Sequence, residues 1–224
     1  REWQQVVAGR SQADATVNIA MVGKYVQIRD SYISLNEALS HAALRTRTRV
    51  NVHYIESTDV EAQGTDCLRG MDAILVPGGF GERGLEGKMR AIRFARENGV
   101  PFFGICLGMQ CAVIEYARNV LGLEGANTIE LASSTPHPVI SLMDDQEGVP
   151  LGGTMRLGAY TANLAQGSLA REAYGADVAI DRHRHRYEVN LLDSFRCQLL
   201  TDIDQVGCSY SRNDGKNAIR RYIG

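Results

Sequence analysis

Apolar positions along this chain fall into short unbroken runs, separated by stretches in which they recur at helical spacing. The runs are VNIAMVG (Val17–Gly23), VNVHYI (Val50–Ile55), DAILVPGG (Asp72–Gly79) and VPFFGIC (Val100–Cys106). Each predicts a strand. Between them, SYISLNEALSHAAL (Ser31–Leu44) predicts a helix with Ser31 as its N-cap, and TDVEAQGTDCLRG (Thr58–Gly70) a weaker one. LEGKMRAIRFARENG (Leu85–Gly99) predicts a helix closed by Gly99, and LGMQCAVIEYARNVLG (Leu107–Gly122) a fourth. Strands that are continuously apolar, rather than alternating, belong to sheets covered on both faces. Repeated strand–helix units therefore predict an α/β fold, a doubly wound, mainly parallel sheet flanked by helices. After about residue 125 the pattern loosens into short strands and loops, as in an antiparallel excursion.

Composition narrows the class without changing it. A chain of 224 residues, 44% hydrophobic and 22% charged, suits one large domain with a sizeable core. Its net charge of −2 makes no electrostatic case for nucleic acid or an anionic membrane. Five cysteines, an odd number with no CxxC pair and no metal-ligand spacing, point to a reduced, cytoplasmic setting rather than a disulfide framework. No apolar run approaches the length of a membrane-spanning helix, and REWQQVVAGR is unlike a signal peptide. Without an initiating Met, the chain reads as a piece of something longer.

Ligands of open α/β sheets bind at the carboxyl ends of the strands. Two glycine-rich corners fall there, PGGFGERG (Pro77–Gly84) and GICLGMQ (Gly104–Gln110). The second has the small-x-nucleophile-x-small shape of a nucleophile elbow between strand and helix. Gly104 and Gly108 leave room for a strained turn, and the following helix directs its free N–H groups at Cys106, which favours a thiolate. The plainer alternative is a buried structural cysteine at a strand end. Backbone N–H groups of Gly79 and Leu107 are candidates for an oxyanion hole, where the alternative is an ordinary tight turn. GKY at Gly23–Tyr25 lacks the spacing of a phosphate loop, which leaves Lys24 a structural or interface residue.

GKYVQIRDSYISLNEAL, DAILVPGGFGERGLEGK, PFFGICLGMQ, GGTMRLG and DRHRHRYEVN, in that order, resemble the C-terminal glutamine amidotransferase domain of the CTP synthases. The resemblance spans about residues 1 to 215. It implies that residues 1–15 end an interdomain linker and that 16–224 form the amidotransferase domain, incomplete at its C-terminus. It also implies hydrolysis of L-glutamine through a Cys106 thioester. The ammonia would pass to an absent synthetase domain, which aminates UTP to CTP with ATP and Mg2+ in pyrimidine biosynthesis. Carried over position by position, Gly79, Leu107, Gly108, Met109 and Gln110 line the glutamine site. Glu130 holds the α-amino group and Arg186 the α-carboxylate, a pairing that suits a zwitterion because the guanidinium fork binds both carboxylate oxygens. Read alone, both are solvated surface charges. Arg83 and Glu86, in GERGLEG, match a loop through which GTP activates the family, and otherwise form an exposed ion pair at a helix start. The resemblance implies no cofactor or metal in this domain, a homo-oligomer in the full protein, and no nucleic-acid or membrane partner.

One part is missing from the pattern. In the family the base is a histidine of a His-Pro-Glu element, and this sequence has none. The last histidines are His183 and His185, which the family also has and does not use as base. This reading expects the chain by itself to hydrolyse glutamine barely. Three readings stay open: a CTP synthase piece, a degenerate glutamine-binding or domain-interaction module without turnover, and a related cysteine hydrolase without a synthetase partner. Glu130, Arg186 and the GERGLEG loop speak against the third.

Overall fold

A computed structural model of the protein describes residues 13–26, 28–142, 148, 158–183 and 185–190. Four parallel strands make the main sheet: β1 (Ala15–Gly23), β2 (Thr48–Glu56), β3 (Ala73–Val76) and β4 (Phe102–Gly104), in the order β2-β1-β3-β4. The helices are α1 (Ile33–Thr46), α2 (Ser57–Gln63), α3 (Leu85–Asn98) and α4 (Leu107–Asn119). Alternation along each strand divides the core between the two faces. Ala20, Val22, Ile74 and Val76 join α3 and α4 in the larger cluster, while Met21 and Leu75 face the smaller one with Leu35 and Leu39 of α1. This is the mainly parallel α/β sheet that the apolar runs predict.

Differences from that pattern lie at element ends. Ser31 does not cap α1. The chain first makes a 3-10 turn over Arg29–Tyr32, and the helix starts at Ile33 with no side-chain cap. Tyr32 is the reason: its buried hydroxyl donates to the Lys24 carbonyl at 2.6 Å, which draws this residue inward and leaves Ser31 exposed. The helix expected over Thr58–Gly70 is split, because Gly64 turns to φ 90° and a separate 3-10 turn follows at Asp66–Leu68. β3 stops before Pro77, whose ring removes the next ladder donor. α3 ends as expected on Gly99, in the left-handed conformation.

Beyond α4 the chain builds smaller sheets. β5 (Asn127–Thr128) runs parallel to β6 (Pro138–Leu142), and β9 (Tyr187–Val189) pairs antiparallel with β6. β7 (Gly158–Asn163) and β8 (Val178–His183) form an antiparallel pair around α5 (Leu169–Tyr174), whose Ser168 cap accepts from Arg171 N–H at 2.8 Å. The helix and hairpin that LLDSFRCQLL and GCSYSRNDGKN suggest, with Cys197 and Cys208, lie outside the described residues. So do residues 1–12 of the expected linker. Among the described residues no helix is long and apolar enough to cross a membrane.

Candidate active site

The strand order reverses between β1 and β3, so the crevice of the sheet opens at their carboxyl ends. Lys24 follows β1, and its ammonium donates to the Phe80 and Gly81 carbonyls, both at 2.8 Å. It thereby pins the Pro77–Gly84 corner from below, the structural one of its two expected roles. Arg83 in this corner reaches Glu56 at 3.3 Å and lies over the Tyr25 ring, 4.5 Å from its centroid. Glu56 also accepts from the Tyr25 and Val26 N–H groups, each at 3.2 Å. Glu86 engages a different neighbour, Arg118 of α4, at 3.1 Å. The two candidate GTP contacts are therefore occupied separately, and their side chains remain 53% and 56% exposed.

The strongest backbone distortion of the second corner is at Cys106, with φ 55° and ψ −112°. A non-glycine residue there stores roughly 1–3 kcal/mol of strain. Close packing of α4 on the sheet enforces it. A Cβ at Gly104 would stand 2.7 Å from the Gly108 carbonyl carbon, and a Cβ at Gly108 would land on the Val76 carbonyl oxygen. Both glycines are thus dictated by approach of backbone to backbone. Gly108→Ala is expected to destabilise the fold by about 1–3 kcal/mol, as overpacking does. Urea unfolding reads the effect as a lower midpoint with an unchanged slope.

Against this elbow lies a histidine. His185 precedes β9, and its Nδ1 is 2.8 Å from the Glu188 carboxylate within β9. The imidazole also hydrogen-bonds the Cys106 side chain. The bond to His185 is the main cause that holds the Cys106 thiol below its ordinary range. The imidazolium charge and the Leu107 N–H add to it, while burial and Glu188 oppose it. The bonds to Cys106 and Glu188 push His185 up to about 10, against the effect of burial. Each shift favours the charged form of its group, so the contact biases the pair toward thiolate and imidazolium. Gln110 braces this arrangement: it is buried on α4, and its Nε2 donates to the Tyr187 carbonyl at 2.8 Å. The strand carrying Glu188 is thereby tied to the helix that follows Cys106.

The other described thiols behave differently. Burial in the core pushes Cys111 up to about 12, and Cys67 is raised by its partial burial and by Asp59 and Asp66. A lowered thiol ionises at lower pH, so Cys106 is expected to react with iodoacetamide at lower pH than either of the other two. Cys67 and Cys111 should react only as the pH climbs above the ordinary thiol range. Peptide mapping over a pH series reads this order, and a Cys106 slower than Cys67 at pH 7 contradicts it.

The remaining sequence-derived positions are placed as follows. Gly78 packs against the elbow, where a Cβ would lie 3.3 Å from the Cys106 Cβ and 3.7 Å from its Sγ; Gly79 is next in the same turn. Leu107, Gly108 and Met109 form the first turn of α4, with Leu107 buried and Met109 packed on the core. Arg186 is half-buried beside His185. Glu130 stands on the turn after β5, largely exposed, with its carboxyl raised by what burial it has. Sequence reasoning passed over Glu188, although the i,i+3 spacing of His185 and Glu188 in HRYE is a readable signal. The His183 side chain lies outside the described residues. Among the described residues no cluster of His, Cys, Asp and Glu could hold a metal ion.

The family model for glutamine amidotransferase class-I matches residues 27–215. Among solved structures, the chain is similar to the glutaminase domain of CTPS, the CTP synthase, from Trypanosoma brucei with bound acivicin. The two are 40% identical, with a TM-score of 0.71, over 78% of this chain and 68% of that one. A strained cysteine at the end of β4, the mainly parallel sheet beneath it and these two matches agree on one assignment. The chain belongs to the class-I glutamine amidotransferases, as a relative of the CTP synthase glutaminase domain.

Proposed function

We propose that this chain is a glutaminase in which Cys106 is the nucleophile, His185 the acid and base, and Glu188 the group that orients His185. The observation that carries this reading is the imidazole bonded to Cys106 on one side and to Glu188, at 2.8 Å, on the other. The thiolate attacks the side-chain amide carbon of glutamine, and the oxyanion forms against the Gly79 and Leu107 N–H groups. His185 gives its proton to the leaving nitrogen; the C–N bond breaks, and ammonia departs from a thioester. The neutral imidazole then takes a proton from water, whose oxygen attacks the thioester. The C–S bond breaks to release glutamate, and the thiolate–imidazolium pair returns.

The finer roles rest on the resemblance. Glu130 and Arg186 hold the α-amino and α-carboxylate groups of glutamine. The ammonia supplies amination of UTP by a synthetase domain that uses ATP and Mg2+, and GTP acts on the loop of Arg83 and Glu86. Acivicin, a glutamine analogue, is bound in the T. brucei relative, which supports a pocket for this amino acid here. Glu130→Gln and Arg186→Ala are each expected to weaken glutamine binding by about 1.5–3 kcal/mol, the worth of a charge-assisted contact. Calorimetry on the Cys106→Ala background reads this without turnover, and unchanged binding in both variants would make them surface charges.

The second reading is a glutamine-binding module without turnover. The two readings differ on one assay. The 224-residue chain either releases ammonia from glutamine at an enzymatic rate, with His185 as its base, or binds glutamine and stays silent.

A further inference from the structure

Among the described residues, two buried side-chain polar atoms have no hydrogen-bond partner: Ser57 Oγ and Lys88 Nζ. Ser57 lies against the Gly84 and Gly87 backbone. Lys88 is harder to account for. It is completely buried, and an unpaired ammonium is among the costliest groups to bury. It also sits in the first turns of α3, where the helix dipole opposes a cation. Its neighbours show where the charge is directed. A Cβ at Gly79 would stand 3.4 Å from Nζ and 3.8 Å from Leu107 Cδ2, so the ammonium lies against Gly79, with the Leu107 side chain close to the same point. Burial is the largest influence on the ammonium and pushes it below the ordinary lysine range; Lys24 after β1 adds to this, while Cys111 on α4, Cys106 at the elbow and Glu56 at the end of β2 favour the charge.

Building on the glutaminase reading, we infer that Lys88 is a positioning residue whose buried charge stabilises the Cys106 thiolate and the oxyanion formed at Gly79 and Leu107. A positive charge without a permanent partner, in a dry setting beside a site where negative charge develops, needs no reorganisation when the reaction begins.

Lys88→Met keeps a similar volume, one heavy atom shorter, and removes the charge. In the 224-residue chain this variant should melt no lower than the unaltered protein, since an unpaired buried charge has been removed. Its Cys106 should nevertheless react with iodoacetamide about tenfold more slowly below neutral pH, because a nearby positive charge has been lost. The rate-against-pH midpoint should rise, while Cys67 serves as the unchanged internal control. His185 and Glu188, the other charges facing Cys106, are untouched. A folded Lys88→Met chain with the unaltered Cys106 profile overturns the inference, whether it melts higher or lower. Should the variant not fold, nitrogen NMR of labelled lysine in the unaltered chain decides. The inference requires a charged Lys88 at pH 7 whose signal moves when Cys106 is alkylated, and a neutral Lys88 overturns it. An unaltered chain in which Cys106 is no faster than Cys67 is a different failure, that of the Cys106–His185 reading.

Discussion

Cys106→Ala is expected to abolish release of ammonia from glutamine, and His185→Ala to lower it by about 10²–10⁴-fold, the usual contribution of a positioned acid and base. The two losses do not add. With the cysteine gone the imidazole has no partner to protonate or deprotonate, so the double variant is no worse than Cys106→Ala. Glu188→Gln retains an acceptor for Nδ1 but removes the charge that holds the imidazolium, so it lies between His185→Ala and the unaltered chain. Glutamine binding should survive all three, because none of these side chains is assigned to the α-amino or α-carboxylate group. Steady-state rates by ammonia detection, with calorimetric binding alongside, separate lost chemistry from lost substrate. A His185→Ala chain that hydrolyses glutamine at the unaltered rate would place the base elsewhere, as the family's His-Pro-Glu element does.

The largest effect on stability is expected at a pair behind the elbow. Glu115 of α4 is fully buried, and Arg96 of α3 binds it with Nε at 3.2 Å from each oxygen and Nη2 at 2.7 Å from Oε1. Asn119 adds a bond at 3.1 Å. Arg96→Met leaves the carboxylate buried with its main partner gone and should lower stability by about 3–5 kcal/mol. The double variant Arg96→Met, Glu115→Met removes both charges and should recover most of that loss, because desolvation of the pair offsets much of its attraction. Urea midpoints of the single and double variants measure the coupling. A single variant as stable as the unaltered chain would mean that solvent reaches Glu115.

Much of the main sheet was legible because burial on both faces writes a strand as an unbroken apolar run. Ala20, Met21 and Val22 are consecutive and all buried, yet they serve both sides of the sheet. Gly99 was legible as a helix stop because its left-handed conformation is a local property. Ser31 was misleading for the opposite reason: the start of α1 is decided by the bond between Tyr32 and Lys24, which no capping rule anticipates. At the site, the glycine spacing around Cys106 announced a tight turn. The approach of His185 could not be read locally, because it depends on β9 pairing with β6 and on Gln110 reaching Tyr187 across 77 residues of chain. Lys88 reads as an ordinary polar position in a helix of charged residues, and only its complete burial sets it apart. Glu130 and Arg186 carry no pattern of their own, and only the family resemblance singles them out.

If His185, oriented by Glu188, favours the thiolate of Cys106, titration of that thiol will show it. Thiolate absorbance in the ultraviolet can be followed against pH in the unaltered chain and in His185→Ala, with Cys106→Ala subtracted as the blank. In the unaltered chain Cys106 should titrate below the ordinary range of a free thiol. Removal of the imidazole should return its titration toward the ordinary range of a free thiol. A Cys106 that titrates in the ordinary range whether or not His185 is present would contradict the account, and would leave His185 a neighbour of the thiol rather than its partner.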